Sequence, residues 1–207
     1  MEIVHLGHSS FKIIGKNVII VTDPFDSSEV GIPFPKSDAD VVTISHSHKD
    51  HNNLEGIKGE YICFDSPGEY EIKTAEIVGV KGCHDEKDGS DFGENTIFDF
   101  EVDGINVCHL GDQGKDLSSD QLDKIDGVDI LMIPVGGKYT IDAKLATKLI
   151  SEIEPKIVIP MHYKLGKMID LAPLEAFVKE IGMEPKKADR LKIQKKDLPE
   201  TMELWVI

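Results

Sequence analysis

The chain has 207 residues, a formal net charge of −15 and one arginine, Arg190, among its 23 basic residues. With 40% hydrophobic residues it can build a core that needs no disulfide or metal staple, and no apolar run approaches the ~20 residues that span a bilayer. Proteins that wrap nucleic acid rely on dense positive surface and arginine forks on phosphates, so this balance argues against nucleic acid as a partner.

The first third reads as short strands, "EIVHL", "SFKII" and "NVIIV", punctuated by Gly7 and by "GKN" as hairpin turns would be. "ADVVTIS" at 39–45 is a nearly continuous apolar run, the pattern of a strand covered on both faces. Further strands are expected in "GEYICF", "YEIKTAEIVGVKG" and "NTIFDFEVDGINVCHL", the last folded back at Asp103-Gly104, a two-residue hairpin signal. The final third alternates. "SSDQLDKI" predicts a short helix with Ser118 and Gln121 as a capping box, and "VDILMIPV" a buried strand. Asp142 caps a helix with an apolar face of Leu145, Leu149, Ile150 and Ile153, stopped before Pro155. "KIVIP" is another buried strand, "LAPLEAFVKEIG" a helix ended by Gly182, and "MELWVI" a closing strand.

No linker or low-complexity segment interrupts this order, so one domain over 1–207 is expected, with two packed sheets and helices outside. The basic run at 185–196, "PKKADRLKIQKK", reads as a solvated face. Cys63, Cys83 and Cys108 show no pair spacing, and Met1 leads straight into "EIVHLGHSSFKI" without a secretory pattern. Free thiols in a reducing cytoplasm are the expectation.

The chemistry concentrates in "VVTISHSHKDHNN". Extended backbone puts residues i and i+2 on one side, so His46 and His48 can offer imidazoles to one point. A turn after Lys49 can redirect Asp50 and His51 toward a second point nearby. Neutral imidazole and carboxylate suit zinc, and also iron or manganese. H-x-H-x-D-H has a random expectation of about one in a thousand in a chain of this composition.

H-x-H-x-D-H after a buried strand resembles the hallmark of the metallo-β-lactamase fold superfamily. "GHSSF", "TDPF", "HSHKDH", "HLGD", "PVGG" and "PMHY", over residues 5 to about 165, are similar to one branch of it. That branch contains small metal-dependent hydrolases, L-ascorbate-6-phosphate lactonases and, more distantly, N-acylphosphatidylethanolamine phospholipases. The resemblance implies a four-layer αββα sandwich of two mixed sheets flanked by helices. It also implies two divalent metal ions, zinc before manganese or iron(II). His46, His48 and His84 would hold the first, Asp50, His51 and His162 the second, with Asp112 bridging. A bridging carboxylate offsets the repulsion of cations about 3.5–4 Å apart, and a shared water becomes a hydroxide nucleophile that Asp50 can orient.

Asp112 follows Gly111, where an aspartate can equally cap a turn. His109, two residues before Gly111, is the other candidate in "VCHLGDQG". Five other histidines fill both metals without it, and a carboxylate bridges two ions better, so Asp112 is the expected ligand and His109 a supporting or packing residue. Asp23 in "VTDPF" is expected to brace the ligand loop. His8 borders the site or forms a turn, and His5 is an ordinary strand histidine. Lys138, Tyr163 and Lys164 follow strands on the ligand-bearing side and could meet an anionic group on a small-molecule substrate. The expected activity is hydrolysis of an ester, lactone or phosphodiester. The alternatives are a di-iron redox protein, against which His48 argues, and a metal-binding protein without turnover. The sequence leaves oligomeric state open.

Overall fold

The computed structural model describes every residue except 86, 88 and 169. A six-stranded sheet runs, in spatial order, Leu191–Lys192, Glu2–Gly7, Ser10–Ile14, Ile19–Thr22, Val41–Thr43 and Ile62–Phe64. An eight-stranded sheet runs Lys186–Lys187, Glu203–Val206, Ile157–Met161, Ile130–Pro134, Ile105–His109, Glu94–Val102, Ala75–Cys83 and Gly68–Ile72. Both are mixed. The strands early in each half pair antiparallel through hairpins, and the later ones pair parallel. Parallel neighbours need crossovers, which the helices Ser119–Lys124 and Ala143–Ile153 supply.

Local signals behave as their chemistry requires. Asp103 and Gly104 both have positive φ, 54° and 77°, the geometry of a type I′ turn. Ser118 and Gln121 form the reciprocal capping box, and Asp142 accepts from the Leu145 amide at 2.8 Å. Gly182 ends Leu174–Ile181 in the left-handed conformation. "YEIKTAEIVGVKG" is a hairpin, not one strand: Gly68–Ile72 and Ala75–Cys83 meet at Lys73, whose φ is 55°.

The main core lies between the sheets, where Phe11, Ile13 and Ile20 face Phe98, Phe100 and Met132. Truncating Phe98, which is fully buried, would cost about 3–5 kcal/mol. A second cluster seals the outer face of the eight-stranded sheet with Leu149, Ile150 and Phe177 of the helices. Outside the six-stranded sheet the helical layer is reduced to one turn, Ser27–Val30, and a 3-10 turn, Leu54–Gly56. There Val21, Val42 and Ile44 pack under Phe34, Leu54 and Tyr61.

The basic run is a tie between the sheets. Lys186–Lys187 pairs at the edge of one and Leu191–Lys192 at the edge of the other. Its charges meet acids: Lys186 with Glu203 at 2.6 Å, Arg190 with Glu2 at 2.7 Å and Lys195 with Asp129 at 2.6 Å. Among the described residues, no helix is long and apolar enough to cross a membrane.

The pairing directions matter most for the site. Glu2–Gly7, Ile19–Thr22 and Val41–Thr43 point one way in their sheet. Ala75–Cys83, Ile105–His109, Ile130–Pro134 and Ile157–Met161 are likewise co-directional in theirs. The residues that follow them, His8, Asp23, His46, His84, Asp112 and His162, come together at one rim.

Candidate metal centre

After Thr43 the chain leaves its strand, and the His51 amide donates to the His48 carbonyl at 2.9 Å. That turn redirects Asp50 and His51, as expected after Lys49, although the His51 ring stays 4.3 Å from that of His46. Among the described residues three groups of ligand atoms result, each within 4.8 Å: His46, His48 and His84; His8, Asp50, His51 and His162; and, joining them, His46, His51 and Asp112. Asp112 lies between the first two. Its Oδ2 stands 3.0 Å from His162 Nε2, 3.3 Å from His51 Nε2, 3.3 Å from His84 Nε2 and 3.9 Å from His46 Nε2.

The histidine tautomers follow from their hydrogen bonds. His51 Nδ1 donates to Asp23 Oδ2 at 2.8 Å, which leaves Nε2 as the nitrogen that faces Asp112. Ser45 Oγ gives its one proton to Asp23 Oδ2 at 2.6 Å, so at the 3.0 Å contact with His46 Nδ1 the imidazole donates. His46 Nε2 is therefore free to accept. His109 differs: Nε2 donates to the Ser9 carbonyl at 2.8 Å, and Nδ1 accepts from the Gly111 amide at 3.1 Å. With both nitrogens committed to backbone, it ties the Ser9 turn to the Asp112 loop.

Asp112 is held as tightly. Asn95 Oδ1 accepts from its amide at 3.0 Å, and Asn95 Nδ2 donates to the Leu110 carbonyl at 2.9 Å. Gly111 has φ 56°, and a Cβ there would sit 2.2 Å from Asn95 Oδ1 and 2.7 Å from Ser45 Cβ. Only glycine lets the two ligand loops approach this closely. His162 and Asp23 carry positive φ values of 52° and 40°, strained backbone of the kind that clusters at functional sites.

The electrostatics are those of a cation site. Burial pushes the Asp112 carboxyl up, but His162 and His51 outweigh it and hold it well below the usual range. Burial lowers His51, and Asp112 and Asp23 raise it well above 6.5. Burial, and then His51, press His46 down to about 3. His46 Nε2, His51 Nε2, His84 Nε2 and Asp112 Oδ1 are buried with no hydrogen-bond partner among the described residues. Each such orphan costs about 1–3 kcal/mol unless something coordinates it. Nitrogen and carboxylate donors converging at one place are the chemistry of a divalent-metal site.

His46, His48, Asp50, His51, His84, Asp112 and His162 thus meet at one place, with His48 the most exposed of the histidines. Asp23 braces His51 and the Ser45 backbone. Lys138 lines a cavity beside the centre and pairs with Asp170. Tyr163 does not face the site; it packs in the cluster under the helices. Lys164 is exposed, its amide bonded to the Ala172 carbonyl at 2.9 Å.

Four site residues had no mark in the sequence: Ser45, Asn95, Asp85 and Phe92. Asp85 accepts four backbone amides, from Lys87, Gly89, Asp91 and Phe92, at 2.7–3.0 Å. Those bonds fold the loop that sets Phe92 with its ring centre 5.5 Å from that of His84 and 5.9 Å from Tyr139. The one available signal was an aspartate opening the polar, glycine-containing stretch "DEKDGSDFG".

Seven histidines and carboxylates at the rim of two packed mixed sheets define a metal-dependent hydrolase of the metallo-β-lactamase fold. The family model described as "Beta-lactamase superfamily domain" matches residues 2–162, and the chain belongs to that family. It is 28% identical to a UPF0173 metal-dependent hydrolase of Thermococcus onnurineus, over 88% of this chain and 92% of that one. A Thermotoga maritima structure, assigned to the Zn-dependent hydrolases of the metallo-β-lactamase superfamily, superposes with TM-score 0.83. It is 35% identical and covers 99% of this chain and 97% of its own. A diiron β-hydroxylase of Streptomyces venezuelae shares the fold alone, at TM-score 0.57 and 14% identity over 80% of this chain and 45% of that one.

Proposed function

We propose that the protein hydrolyses an ester, lactone or phosphodiester bond of a small molecule at a dinuclear centre. The observation that carries this is Asp112, fully enclosed, with one carboxylate oxygen within 3.0–3.9 Å of four histidines from three other loops. Two divalent ions bound there would supply Lewis acidity and an acidified water near neutral pH. The protein's own part is to hold His46, His48 and His84 on one side and Asp50, His51 and His162 on the other. Asp50, partly open to the cleft, is placed to orient an attacking water.

The cleft supports a small-molecule substrate. A cavity of about 350 Å³ is lined by His48, Asp50, His84, Asp112 and His162, with Phe92, Tyr139 and Met168 as its apolar wall. It adjoins a larger one of about 600 Å³ that shares His84, Phe92 and Tyr139 and carries Lys87, Lys138, Lys144 and Lys148. A substrate with its scissile group at the ligands and an apolar part on Phe92 fits this shape; Lys87, Lys138 and Lys148 are paired with Asp91, Asp170 and Asp116.

The test is a panel of lactones, thioesters, phosphodiesters and amides offered to metal-loaded protein and to Asp112→Ala. Turnover of one class, lost by at least a hundredfold in the variant, supports the reading. Turnover that survives in Asp112→Ala removes the bridging role. Two irons with a visible chromophore in protein purified without added metal would favour redox chemistry instead.

A further inference from the structure

His8 is fully buried, yet both of its ring nitrogens lack a hydrogen-bond partner among the described residues. Its backbone is held at φ 54° by the tight turn between the first two strands. The His5 ring donates to its carbonyl at 3.0 Å, and the His162 amide does so at 3.2 Å. A bulky residue fixed in this conformation, with an unsatisfied ring, marks a functional constraint rather than a turn alone.

The ring does not address Asp112, as the other buried histidines of the cluster do. His8 Nε2 stands 3.3 Å from Asp50 Oδ2, and His51 Nε2 stands 3.8 Å from the same oxygen. The His8 ring centre lies 4.3 Å from that of His162 and 5.1 Å from that of His51. Asp50 itself is 22% exposed and sits in a turn, so its carboxylate needs a fixed partner to keep one orientation.

We propose that His8 is a positioning residue of the metal centre. Its Nε2, 3.3 Å from Asp50 Oδ2 without a formed hydrogen bond, would donate to that carboxylate and so hold it ready for the ion shared with His51 and His162. Carboxylate ligands are themselves hydrogen-bonded in well-formed metal sites, and losing that partner weakens binding about 10–100-fold. The inference rests on the dinuclear reading above.

The test titrates metal-free protein with Co²⁺, read by calorimetry and by visible absorption, so no turnover is needed. Wild type should bind two equivalents, one of which Asp50→Asn weakens to a still measurable level. His8→Ala should weaken that equivalent about 10–100-fold and leave the other within about twofold. His8→Gln, which keeps a donor, should recover most of the loss. His8→Ala combined with Asp50→Asn should bind no more weakly than Asp50→Asn alone. Two equivalents in wild type, with both affinities unchanged in His8→Ala, overturn the role of His8 and leave the dinuclear reading standing. A further loss in the Asp50→Asn background, or no recovery with His8→Gln, also overturns it, because His8 would then act as a direct ligand or through the fold. A single equivalent in wild type sinks the dinuclear reading and this inference with it.

Discussion

His51 Nδ1 donates to Asp23 Oδ2 at 2.8 Å, and that oxygen also accepts from Ser45 Oγ at 2.6 Å. Through Ser45 the carboxylate sets the tautomer of His46, and directly it sets that of His51. One side chain from the Ile19–Thr22 strand end therefore prepares a nitrogen in each of the two groups that Asp112 joins. Asp23→Asn should keep the shape but weaken both donors, lowering metal affinity about 10–100-fold. Asp23→Ala should also cost about 2–4 kcal/mol of stability by orphaning buried donors. Metal stoichiometry by elemental analysis and chemical denaturation check the pair of outcomes.

Metal removal should be felt in the melting curve. The stripped protein keeps buried, unpartnered nitrogens on His46, His51 and His84. Restoring Zn²⁺ at a hundredfold excess over its Kd should stabilise by about 2.7 kcal/mol per site. A melting temperature indifferent to chelator and to added zinc would contradict the assignment.

Phe92 is 39% exposed, unusual for a large apolar side chain in this protein, and the Asp85 carboxylate keeps it over the cleft. Phe92→Ala should raise KM about tenfold, the worth of a lost apolar contact, with kcat and metal content retained. Asp85→Ala should do the same by releasing the loop, and the double variant should be no worse than either single one. Steady-state kinetics on the substrate found by the panel decide this.

Asp99 offers a pH test that involves none of the candidate metal ligands. It lies on the Glu94–Val102 strand opposite Cys108, and burial, with the charge of Asp129, raises its carboxyl to about 7. A folded-state pKa above the unfolded value means the native state holds the proton more tightly. Its stabilising contribution is complete below about pH 4 and lost as pH rises through 7. Asp99→Asn should therefore raise stability at pH 8 by about 1–3 kcal/mol and change little at pH 4. Urea denaturation at the two pH values measures the difference.

Much of the frame was legible residue by residue. Asp103-Gly104, Ser118 with Gln121, Asp142 and Gly182 each act through bonds to neighbours a few positions away. The H-x-H-x-D-H cluster was legible for the same reason, since strand alternation and one turn divide it into two directions. The basic run read as a solvated face and its lysines and arginine are exposed; only its pairing with Glu2, Asp129 and Glu203, which lie elsewhere in the chain, was hidden.

What the sequence by itself determined is the set of elements and the types of donor atom. Periodicity, caps and turn residues are local, and a histidine or aspartate carries its chemistry wherever it stands. Only the tertiary structure decided which nitrogen each histidine offers. His109 spends both on backbone, one of them on Ser9, a hundred positions away. His51 and His46 are freed by Asp23 and Ser45, and His8 is turned toward Asp50. Those assignments depend on which loops two packed sheets bring to a common rim, and that is a property of strand direction and packing rather than of any short stretch of chain.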